Sequence, residues 1–239
     1  MIYTIPQLID VMLDRIKSWL KNKRFEIIVV AAGVLMTILI LTEVVLKINQ
    51  RIDEQFTLPY SLTIKHRENT LHLQQVKYNL VDEVEKYIQY IAPSSCLNAL
   101  TIVEACDEYD IDIIFVLAQG QIESHYGTRG IAAKTNSVFN VHSFDGVSAD
   151  QINKSGKGYK HPDFSVRPYL DLLQRKYLVD GKTERDMFSN FVDSNGNRYA
   201  SADNYEQSLM NTYLKISTKT KLDSLQQEYR KYKIITYEQ

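Results

Sequence analysis

Only two cysteines, Cys96 and Cys106, occur in the 239 residues. That scarcity excludes a disulfide-rich scaffold and a four-cysteine zinc site. On one continuous helix the two would lie ~15 Å apart, too far to bridge, so free and buried thiols are expected. An excess of one charge is missing as well. The 28 basic and 29 acidic residues leave a net charge of -1, which argues against a protein built around nucleic acid. Tryptophan occurs once, against sixteen tyrosines, a surplus that suits an aromatic-rich cleft. There is no Walker loop, dinucleotide fingerprint, internal repeat or low-complexity tract. His125, His142 and His161 lack ligand-like spacing, so neither a metal nor another cofactor is expected. With 44% hydrophobic and 24% charged residues, wholesale disorder is excluded. The length fits one ordinary domain with an appendage.

The appendage lies at the N-terminus. Residues 27–46 read IIVVAAGVLMTILILTEVVL, apolar on every face, with Glu43 the one ionisable group. Twenty residues of helix span ~30 Å, the thickness of a bilayer core. No A-x-A pattern follows and twenty-six residues precede the run, so a retained signal anchor is expected rather than a cleaved signal. Arg15, Lys17, Lys21, Lys23 and Arg24 crowd the N-terminal flank, while only Lys47 and Arg51 lie close beyond it. The positive-inside rule then places the N-terminus in the cytoplasm and the rest outside. Ile5, Ile9, Met12, Ile16, Trp19 and Leu20 recur at helical spacing, which suits a segment lying on the inner leaflet or packing elsewhere.

Four stretches are therefore expected: 1–26 cytoplasmic, 27–46 spanning, 47–70 a tether containing Pro59, and 71–239 an exported domain. The domain reads as mainly α. Leu73, Val76, Leu80, Val84, Tyr87 and Ile91 form one helical stripe that Pro93 stops. Further helices are expected over 95–109, from Asp112 to the Tyr126-Gly127 pair, over 167–180, and over 203–231. The last carries Tyr205, Leu209, Tyr213 and Ile216 on one face. Between 128 and 166, Gly, Ser, Asn and Asp abound, and a small irregular or β lobe is expected there. The basic loop KSGKGYK (154–160) suits a solvated tip or a contact with anionic wall polymers.

The chemistry concentrates in VLAQGQIESHYGTRGIAAKTNSVFNV, residues 116–141. Glu123 sits at the C-terminal end of an otherwise apolar helix. The negative end of a helix dipole and an apolar wall both favour a neutral carboxyl group, the form a general acid needs. A solvated glutamate at a fraying helix end would show the same pattern.

This stretch resembles the signature of the bacterial and phage glucosaminidase domain, glycoside hydrolase family 73, which includes flagellar, autolytic and Bax-like peptidoglycan hydrolases. The resemblance rests on Ala118-Gln119, Glu123-Ser124, Tyr126-Gly127, and Asn136 with Phe139. Ser165-Val166-Arg167-Pro168-Tyr169-Leu170 is similar to the family's Ser-Ile-x-x-Tyr helix start. Arg198-Tyr199-Ala200-Ser201 followed by Tyr205 is similar to its Tyr-Ala-Thr-Asp-x-x-Tyr element. The resemblance covers about 110–216 and implies a lysozyme-like fold. It also implies an endo-β-N-acetylglucosaminidase cleaving peptidoglycan glycan strands at the β-1,4 bond between N-acetylglucosamine and N-acetylmuramic acid. Glu123 would be the catalytic acid, and Tyr199 would stand beside it. Gln119, Tyr126, Phe139 and Tyr205 would contact substrate, although the core claims such aromatics equally well.

Two departures stand out. The family's second acidic residue has no glutamate counterpart in 140–166, where Asp145, Asp150 and Asp163 are the carboxylates. Asp145, which follows the Asn/Phe element, is the candidate among these carboxylates, and assistance by the substrate's own acetamide group, which needs none of them, is the favoured reading. The family's Phe-Gly step is Phe139-Asn140 here. A lytic transglycosylase shares the fold, but the Gly-Leu-Met-Gln element expected after its Glu-Ser is missing. A weakly active wall-binding component of an envelope-spanning assembly or of phage machinery is the non-enzymatic alternative.

Overall fold

The computed structural model describes residues 5–141 and 147–237, for residues 5–8, 22, 24–32 and 52–63 by their backbone alone. The chain divides into two compact units, Met1–Lys65 and His66–Gln239. Helix α1, Ile5–Ile91, contributes to both.

In the first unit, Ile9, Met12, Ile16, Trp19 and Leu20 are exposed, as are the apolar side chains from Val34 to Ile48. Gly33–Arg51 is long and apolar enough to cross a membrane, and none of it is buried in protein. Its threonines are internally satisfied. The Thr37 hydroxyl donates to the Gly33 carbonyl at 2.8 Å and that of Thr42 to Leu39 at 2.8 Å. A hydroxyl bonded to its own helix brings no unpaired donor into an apolar surround. The stretch expected as a tether is helical in backbone throughout. Local periodicity there is poor, and the helix continues between strongly helical flanks.

The second unit is mainly helical, as expected of a lysozyme-like domain. The α1 stripe lies inside: Leu73, Val76, Leu80, Val84 and Tyr87 are buried, and so is Ile88, whereas the expected Ile91 is only partly buried. Helix α2, Ala99–Tyr109, starts later than expected because the Asn98 side chain accepts from the Leu100 amide and caps it there. Cys96 therefore precedes the helix and is exposed, which corrects the expectation that both thiols are buried; Cys106 is buried, and both are free.

Helix α3, Ile113–Ser124, is capped by Asp112, whose carboxylate accepts from the Ile114 and Phe115 amides. Every residue from Ile113 to Gly120 is buried, so α3 is the core's axis, and α2, α7 and α8 pack around it. Gly120 permits one close approach. A Cβ there would stand 3.1 Å from the ring of Tyr126, a fully buried side chain.

The irregular lobe holds α4 (Ala132–Thr135), an isolated antiparallel bridge between Ile152 and Tyr159, and a 3-10 turn at Pro162–Ser165. Helix α5, Val166–Leu172, runs into a π-helical turn, Leu173–Tyr177. The short α6, Glu184–Met187, had no sequence-level expectation. The last expected helix is two: α7 (Tyr205–Lys219) and α8 (Leu222–Tyr237). Thr220 breaks them with extended backbone, and its hydroxyl accepts from the Leu222 amide.

Candidate active site

Glu123 is carried on the last turn of α3, where the chain leaves the helix abruptly. His125, Tyr126 and Gly127 all have positive φ, at 54°, 55° and 82°. For His125 and Tyr126 this conformation costs on the order of 1–2 kcal/mol each, and specific bonds hold it. The Tyr126 amide donates to the Gly120 carbonyl at 3.0 Å, and its hydroxyl donates to the Leu117 carbonyl at 3.0 Å. The Ser124 hydroxyl donates to the Val138 carbonyl at 2.6 Å and accepts from the Gly127 amide at 2.7 Å. The motif serine thus ties the end of α3 to the strand of chain carrying Phe139 and Asn140.

Glu123 opens into a cleft of about 500 Å³ lined with Phe139, Asn140, Val141, Leu172, Tyr177, Tyr199, Ala200 and Ser201. Among the described residues lining it, Glu123 is the one carboxylate. The π-turn after α5 ends at Tyr177, and the turn before α7 supplies Tyr199 through Ser201.

Both carboxylate oxygens of Glu123 are held. The Tyr205 hydroxyl donates to Oε1 at 2.5 Å, and the Asn140 amide donates to Oε2 at 3.0 Å. Behind Tyr205, the Gln119 amide nitrogen donates to the phenol oxygen at 3.1 Å. Burial, then the neighbouring Tyr199 and the charge of Glu123, push the Tyr205 phenol far above its ordinary pKa. It therefore stays a neutral donor. Tyr199 is likewise pushed up by burial and by Glu123, and its hydroxyl donates to the Phe139 carbonyl at 3.2 Å.

These positions sort the residues expected from sequence. Glu123, Tyr199 and Phe139 meet at the cleft. Tyr205 stands against the carboxylate, and Gln119, fully buried, reaches Glu123 through Tyr205. Tyr126 is 1% exposed and bonded into α3, so its ring cannot offer a face to a sugar. The Phe139 ring stacks on Tyr169 at 3.8 Å between centroids and is almost fully buried, so it serves the core more than the cleft it borders. Asp145 lies outside the described residues. Asp150 is exposed. Asp163 accepts from the Asn98 amide at 2.8 Å and pairs with His161 at 3.3 Å, a structural post away from the lining of this cleft.

Asn140, Tyr177 and Ser201 were not anticipated as site residues. Asn140 carried one signal, the asparagine standing where the resembled family has glycine. Among the described residues, no group of three or more His, Cys, Asp or Glu side chains is placed to hold a metal.

No curated protein matches the chain. Residues 99–218 match the family model of the glucosaminidase domain, described as mannosyl-glycoprotein endo-beta-N-acetylglucosaminidase. That region holds α2 through nearly all of α7, and with them Glu123, Asn140, Tyr199 and Tyr205. The match spans half of the chain, and the chain belongs to the glucosaminidase family, a glycosidase of the kind directed at peptidoglycan.

Proposed function

We propose that the domain hydrolyses the β-1,4 bond between N-acetylglucosamine and N-acetylmuramic acid, with Glu123 as general acid. The observation that carries this reading is Glu123 as the single described carboxylate of a tyrosine-lined cleft in a glucosaminidase-family domain. Glu123 would deliver its proton to the glycosidic oxygen as the sugar gains oxocarbenium character. Tyr199 would hydrogen-bond the reacting sugar or water from the cleft wall. Tyr177 would add an aromatic edge. For the second role we favour the substrate's own acetamide, because the 140–166 stretch carries no glutamate. Asp145 remains the protein group to test, through Asp145→Asn.

In the cell, residues 1–26 would lie in the cytoplasm, 27–46 would span the inner membrane, and 71–239 would face the wall beyond the tether. The basic asymmetry around the apolar run and the uncovered helix at Gly33–Arg51 support this arrangement.

Product ends test the reaction. Digestion of purified sacculi should leave reducing N-acetylglucosamine termini, resolved by mass spectrometry after borohydride reduction. Anhydro-muramic termini would make the protein a lytic transglycosylase, and intact glycan would leave it a wall-binding component.

A further inference from the structure

We infer that Asn140 is a positioning residue that orients the carboxyl group of Glu123 for proton delivery. An asparagine in a turn ordinarily bonds its own neighbouring backbone. The side chain of Asn140 instead crosses seventeen positions, its amide nitrogen standing 3.0 Å from both the backbone carbonyl and Oε2 of Glu123. The carbonyl accepts only, so the group facing Glu123 is the NH₂ and not the amide oxygen.

The turn that presents this amide is pinned on every side. The Asn140 backbone has φ 53°, a left-handed conformation asparagine tolerates. Its amide donates to the Ser137 carbonyl at 3.0 Å, and the Ser137 hydroxyl donates to the Val141 carbonyl at 2.6 Å. Ser124, Ser165 and Tyr199 bond the preceding residues Val138 and Phe139. Tyr205 already fixes Oε1. Asn140 fixes Oε2 and ties it to the backbone of the same residue, so rotation of the carboxyl about its last bond is stopped from both sides. Half-buried beside an open cleft, Glu123 would otherwise sample several orientations. Misplacing a reacting group by about an ångström costs up to ~10²-fold in rate.

The inference rests on Glu123 being the acid, and the experiment keeps the two apart. The full chain in detergent micelles is assayed on soluble, uncross-linked glycan strands, and kcat, KM and Tm are measured for Asn140→Gly, Asn140→Asp and Glu123→Gln. Glycine accepts the positive φ, so the turn survives without the donor. Aspartate keeps the shape and the conformation but can only accept, and it sets a like charge against Glu123. Both variants are expected to lose kcat by about 10- to 100-fold, with KM within twofold and the Tm of Asn140→Gly within about 2 °C of wild type. A wild-type kcat in Asn140→Gly overturns the inference whatever Asn140→Asp does. A raised KM at unchanged kcat also overturns it and makes Asn140 a substrate contact. Loss in Glu123→Gln beside an unaltered Asn140→Gly removes this inference alone, whereas an active Glu123→Gln removes the acid assignment with it.

Discussion

The phenol of Tyr205 is held from behind by Gln119 and bonds Oε1 of Glu123 in front, so it acts as a fixed donor in a buried pocket. The family resemblance suggested a sugar contact at that position, and its bond to Glu123 depends on where α7 docks on α3. Without that donor the carboxyl group can turn, and misplacing a reacting group by about an ångström costs up to ~10²-fold in rate. Tyr205→Phe should therefore lower kcat by roughly 10- to 100-fold while the domain stays folded, because the ring still fills its place among Phe191 and Tyr199. Steady-state rates with a thermal melt check this; full activity would show that Tyr205 is only a core residue. The place of Glu123 at the end of an apolar helix was legible from spacing, whereas its reading as the acid came from the family resemblance. Asn140 was not legible, since a turn asparagine betrays nothing of the residue seventeen positions away that it bonds. Tyr126 misled because an aromatic close to Glu123 in sequence can turn inward at a left-handed residue.

Elements with a long period were the readable ones. The α1 stripe from Leu73 to Tyr87 and the Asp112 start of α3 follow from spacing and capping, and both stand in the structure, although Ile88 and not the expected Ile91 closes the buried face. The division of 203–231 into α7 and α8 was hidden, because Thr220 ends a helix through backbone conformation rather than through proline or glycine. The lobe between α3 and α5 carries little periodicity, and its packing turns on single contacts. Gly158 is one: a Cβ there would lie 2.3 Å from the Thr135 carbonyl oxygen at the end of α4. The same carbonyl accepts from the Tyr159 amide at 2.7 Å, and the Asn136 amide donates to the Tyr159 carbonyl at 2.9 Å. Neither backbone can yield without losing these bonds. Gly158→Ala should destabilise the domain by about 1–3 kcal/mol, seen as a fall in Tm of roughly 2–12 °C. A melt within a degree of wild type would show that the lobe is looser than its contacts imply.

For the molecule as a whole, the proposed function assigns two tasks, anchorage to the apolar helix and wall cleavage to the glycosidase domain. If the five basic residues before the span stay inside and the domain is exported, protease added to spheroplasts should digest the C-terminal domain and spare an N-terminal tag. The reverse pattern would refute the proposed orientation, and a full-length protein soluble without detergent would refute the span. The central claim is narrower: this fold cleaves glycan through Glu123. Glutamine keeps the shape of that side chain without a transferable proton, and general acid catalysis contributes ~10²–10⁴-fold. The decisive measurement is the rate at which the full chain and Glu123→Gln release muropeptides from sacculi, with Tm recorded for both. A loss of at least ~10²-fold at an unchanged Tm is the result predicted. Retention of more than about a tenth of the wild-type rate by the folded variant would contradict it.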